Sequence, residues 1–401
     1  MQRVYLDNNA TTRVDPAVVQ AMLPLFTDSF GNGSSMHSFG GGVARLIRHA
    51  RMSLTELLGA QQESEVIFTS GGTEANTSAI FSAIELLPDR KEIITSTVEH
   101  PAILAPLAHL EKTRGYTIHR IPVDAQGRLD IDAYRAALSD KVALVTIMWA
   151  NNETGTLFPV PALATLAKEV GALFHTDAVQ AVGKVELAVK STDIDMLSLS
   201  GHKFHAPKGT GALYVRKSCR FRPLFRGGHQ ERDRRAGTEN APGIVGLGKA
   251  AELALEHHAR DLTRIRDLRD RLEAGILQQV GAAAVVGDRE RRLPNTATIA
   301  FEFIEGESIL LLLDREGIAA SSGSACTSGS LEPSHVLRAM GVPYTAAHGA
   351  IRFSLSRETT DADVDRVLEV VPGIVARLRS MSPYWEASAG APRADFAPAF
   401  S

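Results

Sequence analysis

A lysine follows directly after an apolar segment near the middle of the chain, and its position suits covalent chemistry. Leu197 and Leu199 give the segment the two-residue apolar period of a buried strand, and a Ser-Gly break precedes Lys203. Lysine is rarely buried without a partner. At the end of a strand it can form a Schiff base with an aldehyde cofactor. The same pattern also fits an ordinary surface lysine, so other residues must decide between the two interpretations.

Two further strand ends carry the groups that such a cofactor needs. Asp177 ends an apolar run, and Gln180 follows it three residues later. The carboxylate can pair with a pyridinium nitrogen, and the amide can donate to a ring oxygen. Gly72 and Thr73 follow another apolar run and open a predicted helix, where free backbone N–H groups can bind a phosphate. Together the three strand ends predict a pyridoxal phosphate site.

These motifs resemble those of the cysteine desulfurases, a family of fold-type I pyridoxal phosphate enzymes. The segments that carry the resemblance are residues 5–12, 69–74, 175–180, 200–203 and 321–329. The resemblance extends from about residue 4 to about residue 385. Residues 149–155 and 226–232 are most similar to the NifS-like branch, which serves nitrogen fixation. Two positions depart from the family pattern: Gly33 stands where proline is usual, and Asp233 where glycine is usual.

The resemblance implies a role for each matching residue. Lys203 is expected to hold the cofactor and to move the Cα proton of the substrate, and His100 to stack on the cofactor ring. Arg352 is expected to bind the carboxylate of L-cysteine with its guanidinium fork. Thr238 is expected to reach the phosphate of the other subunit. The remaining expected cofactor contacts are Gly72, Thr73, Asn152, Asp177, Gln180, Ser200 and His202.

Cys326 is the predicted nucleophile that accepts the sulfur. It lies among Ser, Gly, Thr and Ala without apolar periodicity, whereas most free cysteines are small buried hydrophobes. That composition is typical of a mobile, solvent-reachable loop, and a reactive thiolate needs partial exposure. The resemblance implies that Cys326 carries a persulfide and transiently ligates an iron–sulfur cluster shared with a scaffold protein. Cys219 has no such surroundings, and we expect it to be structural or incidental.

The sequence therefore predicts a pyridoxal-phosphate-dependent cysteine desulfurase, a sulfurtransferase that converts L-cysteine to L-alanine. The resemblance implies a cytoplasmic homodimer that delivers sulfur to an iron–sulfur scaffold protein, in nitrogenase maturation. Two alternatives stay open. One is a related enzyme, an aminotransferase or a selenocysteine lyase, and Cys326 argues against the aminotransferase. The other is a non-enzymatic sulfur-relay or regulatory protein, against which Lys203, Asp177 and Cys326 argue together.

Composition limits the class of protein and its partners. The chain has 401 residues, which exceeds one ordinary core and favours two domains. Its 44% hydrophobic and 22% charged residues are typical of a soluble globular protein. The net charge of −3 indicates no nucleic-acid partner, and no apolar run approaches membrane-spanning length. Two cysteines and no signal-peptide pattern favour the cytosol and free thiols.

Alternating strands and helices predict an α/β fold, of fold type I, with a large mostly parallel sheet and a smaller α/β domain. Strands are predicted at 66–69, 92–96, 142–148, 172–176, 195–199 and 211–215. Functional groups should collect at their carboxyl ends. We expect a large domain over 15–255, a small domain over 1–14 and 256–385, and a disordered tail over 386–401. Residues 246–251 imitate a dinucleotide fingerprint but do not follow a strand, so no dinucleotide site is predicted.

Overall fold

The computed structural model describes residues 3–322, 333–386, 390–393 and 395–396. The strands are β1 (Val4–Tyr5), β2 (Val66–Thr69), β3 (Glu92–Ser96), β4 (Thr117–Ile121), β5 (Val142–Thr146), β6 (Leu173–Asp177), β7 (Met196–Ser200), β8 (Gly211–Val215), β9 (Ala283–Val285), β10 (Thr296–Phe301), β11 (Ile318–Ala319), β12 (Ala350–Ser354), β13 (Trp385–Glu386) and β14 (Ala391–Pro392). The helices are α1 (Pro16–Met22), α2 (Pro24–Thr27), α3 (Ser38–Leu57), α4 (Gly72–Leu86), α5 (Pro101–Arg114), α6 (Ile131–Ala137), α7 (Val160–Glu169), α8 (Gln230–Asp233), α9 (Ala241–Gln279), α10 (Gly306–Arg315), α11 (His335–Ala339), α12 (Tyr344–Ala347) and α13 (Asp361–Ser380).

Within the described residues, the largest sheet has seven strands in the order β2-β8-β7-β6-β5-β3-β4. The strands from β7 to β4 pair in parallel, which confirms the predicted α/β fold. Only β8 runs against both of its neighbours. The connection from β7 to β8 spans residues 201–210, which is too short for the crossover that a parallel return needs. The carboxyl ends of β5, β6 and β7 therefore meet at one edge of the sheet.

The sequence analysis missed β4, which is the edge strand of this sheet. It reads Thr-Ile-His-Arg-Ile, with Ile118 and Ile121 buried and Thr117 and Arg120 exposed. The apolar signal is therefore confined to two residues, because an edge strand packs on only part of its surface. Its pairing with β3 does not change the edge at which the functional residues lie.

A second group of strands and helices surrounds β10, which pairs antiparallel with β9 and β12. The N-terminal strand β1 pairs in parallel with β11 and contributes to the same hydrophobic cluster. Helix α9 joins this cluster to the core of the main sheet. Its first half buries Ile244 and Leu247 in the main core, and its second half buries Leu268 and Leu272 in the other cluster. The domain boundary expected after residue 255 falls inside α9, between Leu247 and Leu268, and stays a prediction.

The glycines that imitate a dinucleotide fingerprint lie inside α9 and serve helix packing. A Cβ atom at Gly248 would lie 2.4 Å from Ala50 Cα, so only glycine lets α9 approach α3 this closely. A Cβ atom at Gly246 would lie 2.7 Å from the sulfur of Met22. The spacing of these glycines follows from contacts with α3 and α1.

The short element α8, which precedes α9, is a left-handed turn over most of its length. Glu231, Arg232 and Asp233 have φ angles of 50°, 58° and 64°. Aspartate tolerates the left-handed region better than most residues other than glycine, which explains why Asp233 can stand where glycine is usual. The turn is held by Glu231, which is buried and binds Arg51 through two bonds of 2.7 Å.

The described part of the tail contains a short pair of strands. Strand β13 pairs antiparallel with β14, and the ring of Phe396 packs at 5.0 Å from that of Tyr384. The indole of Trp385 lies under the Arg379 guanidinium, 4.3 Å away, and so joins the tail to α13. Aromatic side chains thus supply the contacts that the Ala-, Gly- and Pro-rich composition did not suggest. Residues 387–389, 394 and 397–401 lie outside the described residues.

Candidate active site

A cleft of about 610 Å³ lies at the carboxyl ends of β5, β6 and β7. Most of the predicted site residues line it, namely Gly72, Thr73, His100, Asn152, Asp177, Gln180, Ser200, His202, Lys203 and Arg352. Thr238 is exposed and is not among the residues that line the cleft. Cys326 lies outside the described residues. The structure therefore brings most of the predicted residues together, while their individual roles stay predictions.

Lys203 reaches the cleft from a short helical turn after β7. Its Nζ donates hydrogen bonds to the backbone oxygens of Asn9 at 2.6 Å and Ala10 at 2.8 Å. The turn is tightly packed, because a Cβ atom at Gly201 would lie 2.8 Å from the hydroxyl of Thr210. The N-terminal segment of the chain therefore fixes the position of the lysine amine.

Asp177 ends β6 and is almost completely buried. One carboxylate oxygen accepts a hydrogen bond from the Asn76 side chain at 2.7 Å, and the other accepts one from the Val179 N–H at 3.0 Å. These two bonds orient the carboxylate at the wall of the cleft. Each oxygen keeps a lone pair with which it can accept the N–H of a pyridinium ring.

The N-terminus of α4 forms the third part of the cleft. The first backbone N–H groups of any helix have no intrahelical partner. At α4 no side chain caps them. A Cβ atom at Gly72 would lie 2.7 Å from Val179, so the turn needs glycine there. An uncapped helix N-terminus favours an anion. The hydroxyls of Thr73 and Ser200 line the same region. The residues present therefore fit a phosphate, a pyridinium nitrogen and an aldehyde, which are the three groups of pyridoxal phosphate.

Burial keeps both histidines of the cleft in the neutral form. It lowers the pKa of His100, and the nearby charge of Asp177 only partly offsets this effect. It lowers the pKa of His202 to about 4, with a further contribution from the charge of Lys203. The Nδ1 atom of His100 accepts a hydrogen bond from the Ala102 N–H at 3.1 Å. The neutral ring of His100 therefore carries its proton on Nε2.

Arg352 lies on β12 and is only 2% exposed. One Nη atom donates to the backbone oxygen of Asn152 at 3.0 Å, and the other donates to Asp7 at 2.8 Å. Its Nε is buried and has no hydrogen-bond partner among the described residues. The guanidinium therefore already binds the Asp7 carboxylate. A substrate carboxylate must share the guanidinium with Asp7 or bind at Nε.

Asn9 is a site residue that sequence reasoning missed, although residues 5–12 contributed to the family resemblance. Its backbone oxygen accepts from Lys203 and, at 2.9 Å, from Gln180. Its side-chain nitrogen donates to the Asn152 oxygen at 3.1 Å and to the Thr296 hydroxyl at 2.9 Å. Asn9 therefore connects three predicted cofactor contacts to β10. Its partners lie so far away in the sequence that no local pattern indicates them.

The described residues on both sides of the Cys326 segment are held beside the cleft. Before it, Ser321 and Arg352 exchange two backbone hydrogen bonds. After it, the Ser334 hydroxyl donates to Glu153 at 2.5 Å, and His335 Nε2 lies 2.9 Å from the backbone oxygen of Glu99. Glu153 and Glu99 directly follow and precede the cleft residues Asn152 and His100 in the sequence.

Cys219 lies in surroundings that suppress thiol reactivity. Burial raises its pKa to about 12, with a further contribution from the charge of Asp195. It packs against the cluster that contains Ile67 and Leu213. A thiolate is the reactive form of cysteine, so Cys219 is a poor nucleophile.

Comparison with known proteins agrees with this geometry. A sequence model of the family "Aminotransferase class-V" matches residues 4–367. This match defines the class of protein to which the fold and the cleft correspond.

Curated relatives narrow that class. The chain is 67% identical to a cysteine desulfurase of Gluconacetobacter diazotrophicus over the full length of both proteins. It is 62% identical to the cysteine desulfurase NifS of Azotobacter vinelandii over 96% of each chain. A solved structure described as a NifS-like protein superposes with a TM-score of 0.88, at 37% identity, over 94% of this chain and 100% of that one. This chain belongs to the cysteine desulfurase family, whose enzymes use pyridoxal 5'-phosphate.

The described residues show no sign of a membrane-spanning helix or of a metal site. None of the described helices combines the length and the apolar composition that a membrane crossing requires. Over the same part of the chain, no three His, Cys, Asp or Glu side chains are grouped so that they can hold a metal ion. The predicted cluster ligand, Cys326, lies outside that part.

Glu99 generates a prediction about the pH dependence of stability. It is fully buried next to His100, and burial raises its pKa from 4.5 to about 8. Between these values the folded chain binds a proton that the unfolded chain has lost, so stability falls as pH rises from about 4.5 to about 8. The slope approaches about 1.4 kcal/mol per pH unit for one proton. We expect Glu99→Gln to remove this contribution, so that its thermal midpoint rises relative to the parent across the window.

Glu111→Gln is the matched control for that measurement. Glu111 is exposed, and its hydrogen bond with Arg120 lowers its pKa, so its titration lies below the window. It should keep the pH dependence of the parent protein. Parallel pH profiles for Glu99→Gln and the parent would show that Glu99 is ionised in the folded protein.

Proposed function

We propose that this protein removes the sulfur atom from L-cysteine, releases L-alanine and holds the sulfur as a persulfide on Cys326. The observation that carries the proposal is the single cleft that contains Lys203, Asp177, Arg352 and the uncapped start of α4. The relatives that are more than 60% identical and are named cysteine desulfurases support the same activity.

Arg352 binds the carboxylate of cysteine in this proposal. Asp7 and the Asn152 oxygen hold two sides of the guanidinium, so its plane is fixed before substrate arrives. A fixed guanidinium loses little side-chain entropy when it binds a carboxylate. Burial of the guanidinium also strengthens its interaction with an incoming carboxylate, because the local dielectric constant is low.

Lys203 removes and returns the proton at the Cα atom of the substrate. Two backbone oxygens of the N-terminal segment hold its amine in the cleft. Pyridoxal phosphate, when bound, supplies the electron sink that makes this Cα proton acidic. With the cofactor bound, Asp177 would pair with the ring nitrogen, His100 would contact the ring, and Gln180 and Asn152 would donate to the ring oxygen. Gly72, Thr73, Ser200 and His202 would bind the phosphate.

Cys326 accepts the sulfur. Its thiolate attacks the substrate sulfur, so that a sulfur–sulfur bond forms while the bond between Cβ and sulfur breaks. The electron pair of the broken bond stays on Cβ, which takes a proton and becomes the methyl group of alanine. The anchoring of the described flanking residues Ser321 and Ser334 at the cleft supports this role. An iron–sulfur scaffold protein in nitrogenase maturation then receives the sulfur, and Cys326 transiently ligates the nascent cluster.

The protein acts as a homodimer in the cytoplasm in this proposal. Large apolar side chains are exposed along the N-terminal helices, among them Leu23, Phe26, Phe30 and Phe39. Phe30 and Phe39 pack against each other at a centroid distance of 5.8 Å and form one apolar surface. Such a surface is unusual for a monomer, and a second copy of the chain can cover it. In each protomer the proposed large domain spans residues 15–255, and the proposed small domain spans residues 1–14 and 256–385.

The two cysteines provide the test of the proposed activity. The parent protein should release alanine from L-cysteine and sulfide when a reductant is added. Cys326→Ala should retain the colour of the cofactor but form no persulfide, because sulfur abstraction needs the thiolate. Cys219→Ala is the matched control and should behave like the parent. Mass spectrometry locates the persulfide, and a persulfide on Cys219 would contradict the assignment.

Thr238 provides a second test, which concerns the composition of each site. Thr238 is exposed and is not among the residues that line the cleft of its own chain. In a mixed dimer, one chain carries Lys203→Ala and the other Thr238→Ala. If Thr238 binds the phosphate of the other subunit, one site contains both substitutions and the other site contains neither. Formation of the mixed dimer from the inactive Lys203→Ala chain and the impaired Thr238→Ala chain should then restore about half of the parent activity, by two-fold symmetry.

The opposite arrangement gives a different result. If Thr238 acts within its own chain, each site contains one substitution and no intact site forms. The Thr238→Ala homodimer, measured alone, must be impaired for the comparison to hold. A confirmed mixed dimer without recovered activity would place Thr238 at the site of its own chain.

A further inference from the structure

Lys184 is a buried amine beside the cleft that the proposed reaction does not use. It lies four residues after Gln180, at the end of the turn that follows β6, and it is 8% exposed. A lysine in such a position needs a structural or functional reason, because burial of an amine costs free energy. Burial lowers its pKa well below the usual value, and the charges of Lys203 and Arg352 add to this effect.

The contacts of Lys184 lead directly to Lys203. Its Nζ donates to Gln180 Oε1 at 2.7 Å and lies 3.4 Å from Asn9 Oδ1. Gln180 Nε2 donates to the backbone oxygen of Asn9 at 2.9 Å. The same backbone oxygen accepts the 2.6 Å hydrogen bond from Lys203 Nζ. The four residues thus form a continuous chain of hydrogen bonds with Lys184 at one end and Lys203 at the other.

The hydrogen bond from Lys184 determines the orientation of the Gln180 amide. The oxygen and nitrogen of Gln180 have nearly the same shape but opposite hydrogen-bonding character. With Lys184 donating to the oxygen, the nitrogen must face the Asn9 oxygen and the cleft. Without that donor the buried oxygen loses its partner, and a rotated amide would place two oxygens against each other at Asn9. An unsatisfied buried acceptor destabilises the arrangement that leaves it unpaired.

We propose that Lys184 is a positioning residue, which orients Gln180 and thereby fixes the Asn9 oxygen that holds Lys203. This inference rests on the proposed function, since Gln180 and Lys203 matter in it as cofactor contacts. Lys184 does not touch the reacting atoms in this scheme. It acts by selecting one of the two orientations of an amide that lines the cleft.

A small cavity makes the substitution at this position practicable. It has a volume of about 60 Å³ and is lined by Lys184 and Lys203 together with Asn8, Asn295 and residues of α9. Methionine has nearly the length of lysine and lacks the donor. The free space next to the side chain lets its thioether settle without crowding the core. Lys184→Met therefore removes the hydrogen bond with little change of packing.

The test is a double-mutant cycle read from the dissociation constant of pyridoxal phosphate. Lys184→Met alone should weaken cofactor binding by about 5- to 30-fold, the equivalent of one lost buried hydrogen bond. In a Gln180→Ala background the same change should cost less than about twofold, because Lys184 then has no amide to orient. Adding Lys184→Met should shift the absorption maximum of the bound cofactor, which reports on Lys203, in the parent background but not in the Gln180→Ala background. Lys190→Met, at an exposed position, is the matched control and should bind like the parent.

Three outcomes would overturn the proposal. An equal loss of affinity in both backgrounds would mean that Lys184 acts on general stability, and no loss in the parent background would mean that it has no positioning role. Lys184→Gln, which keeps an N–H donor on a shorter side chain, should bind the cofactor more tightly than Lys184→Met, and failure to do so would also contradict the proposal. Failure of the proposed function looks different, because the parent protein would then bind no cofactor or release no alanine.

Discussion

The hydrogen bond from Lys203 Nζ to the Asn9 oxygen is the contact on which the geometry of the cleft depends. It joins the end of β7 to a segment from the start of the chain. That segment is itself tied to the other side of the cleft, since Asp7 pairs with Arg352 and Asn9 binds Thr296. The amine and the guanidinium are therefore held at a fixed separation by one short stretch of backbone. A substrate that binds to both meets groups that are already positioned.

Burial also decides the charge of the surrounding groups. It raises the pKa of Glu99 and of Glu153, and it lowers the pKa of His100 and of Lys184. All four shifts favour the neutral form of the group. The cleft therefore has few competing charges close to the positions at which a phosphate and a carboxylate bind. A charged Lys184 would compete with Lys203 and Arg352 for the same anions.

The sequence was most informative where function depends on local pattern. Apolar runs that end in Asp177, in Ser200 before Lys203, or in a Gly-Gly turn indicate strand ends, and the parallel sheet brings those ends together. The contacts that refine the site are not local. Asn9 and Thr296 are 287 positions apart, and Arg352 and Asp7 are 345 positions apart. The periodicity of a single sequence contains no information about such pairs. The roles of Asn9 and Lys184, and the pairing of Arg352 with Asp7, could therefore be identified only from the structure.

Reduction with borohydride can establish whether Lys203 is the lysine that holds the cofactor in this cleft. Borohydride fixes pyridoxal phosphate to the lysine that carries it, and peptide mass spectrometry identifies that lysine. Lys184 and Lys208 are the informative competitors, because Lys184 lies behind the site and Lys208 lines the cleft. We expect one modified peptide, which contains Lys203. Modification of Lys184 or Lys208 instead, or a colourless protein that takes up no cofactor, would show that the assignment of Lys203 is wrong.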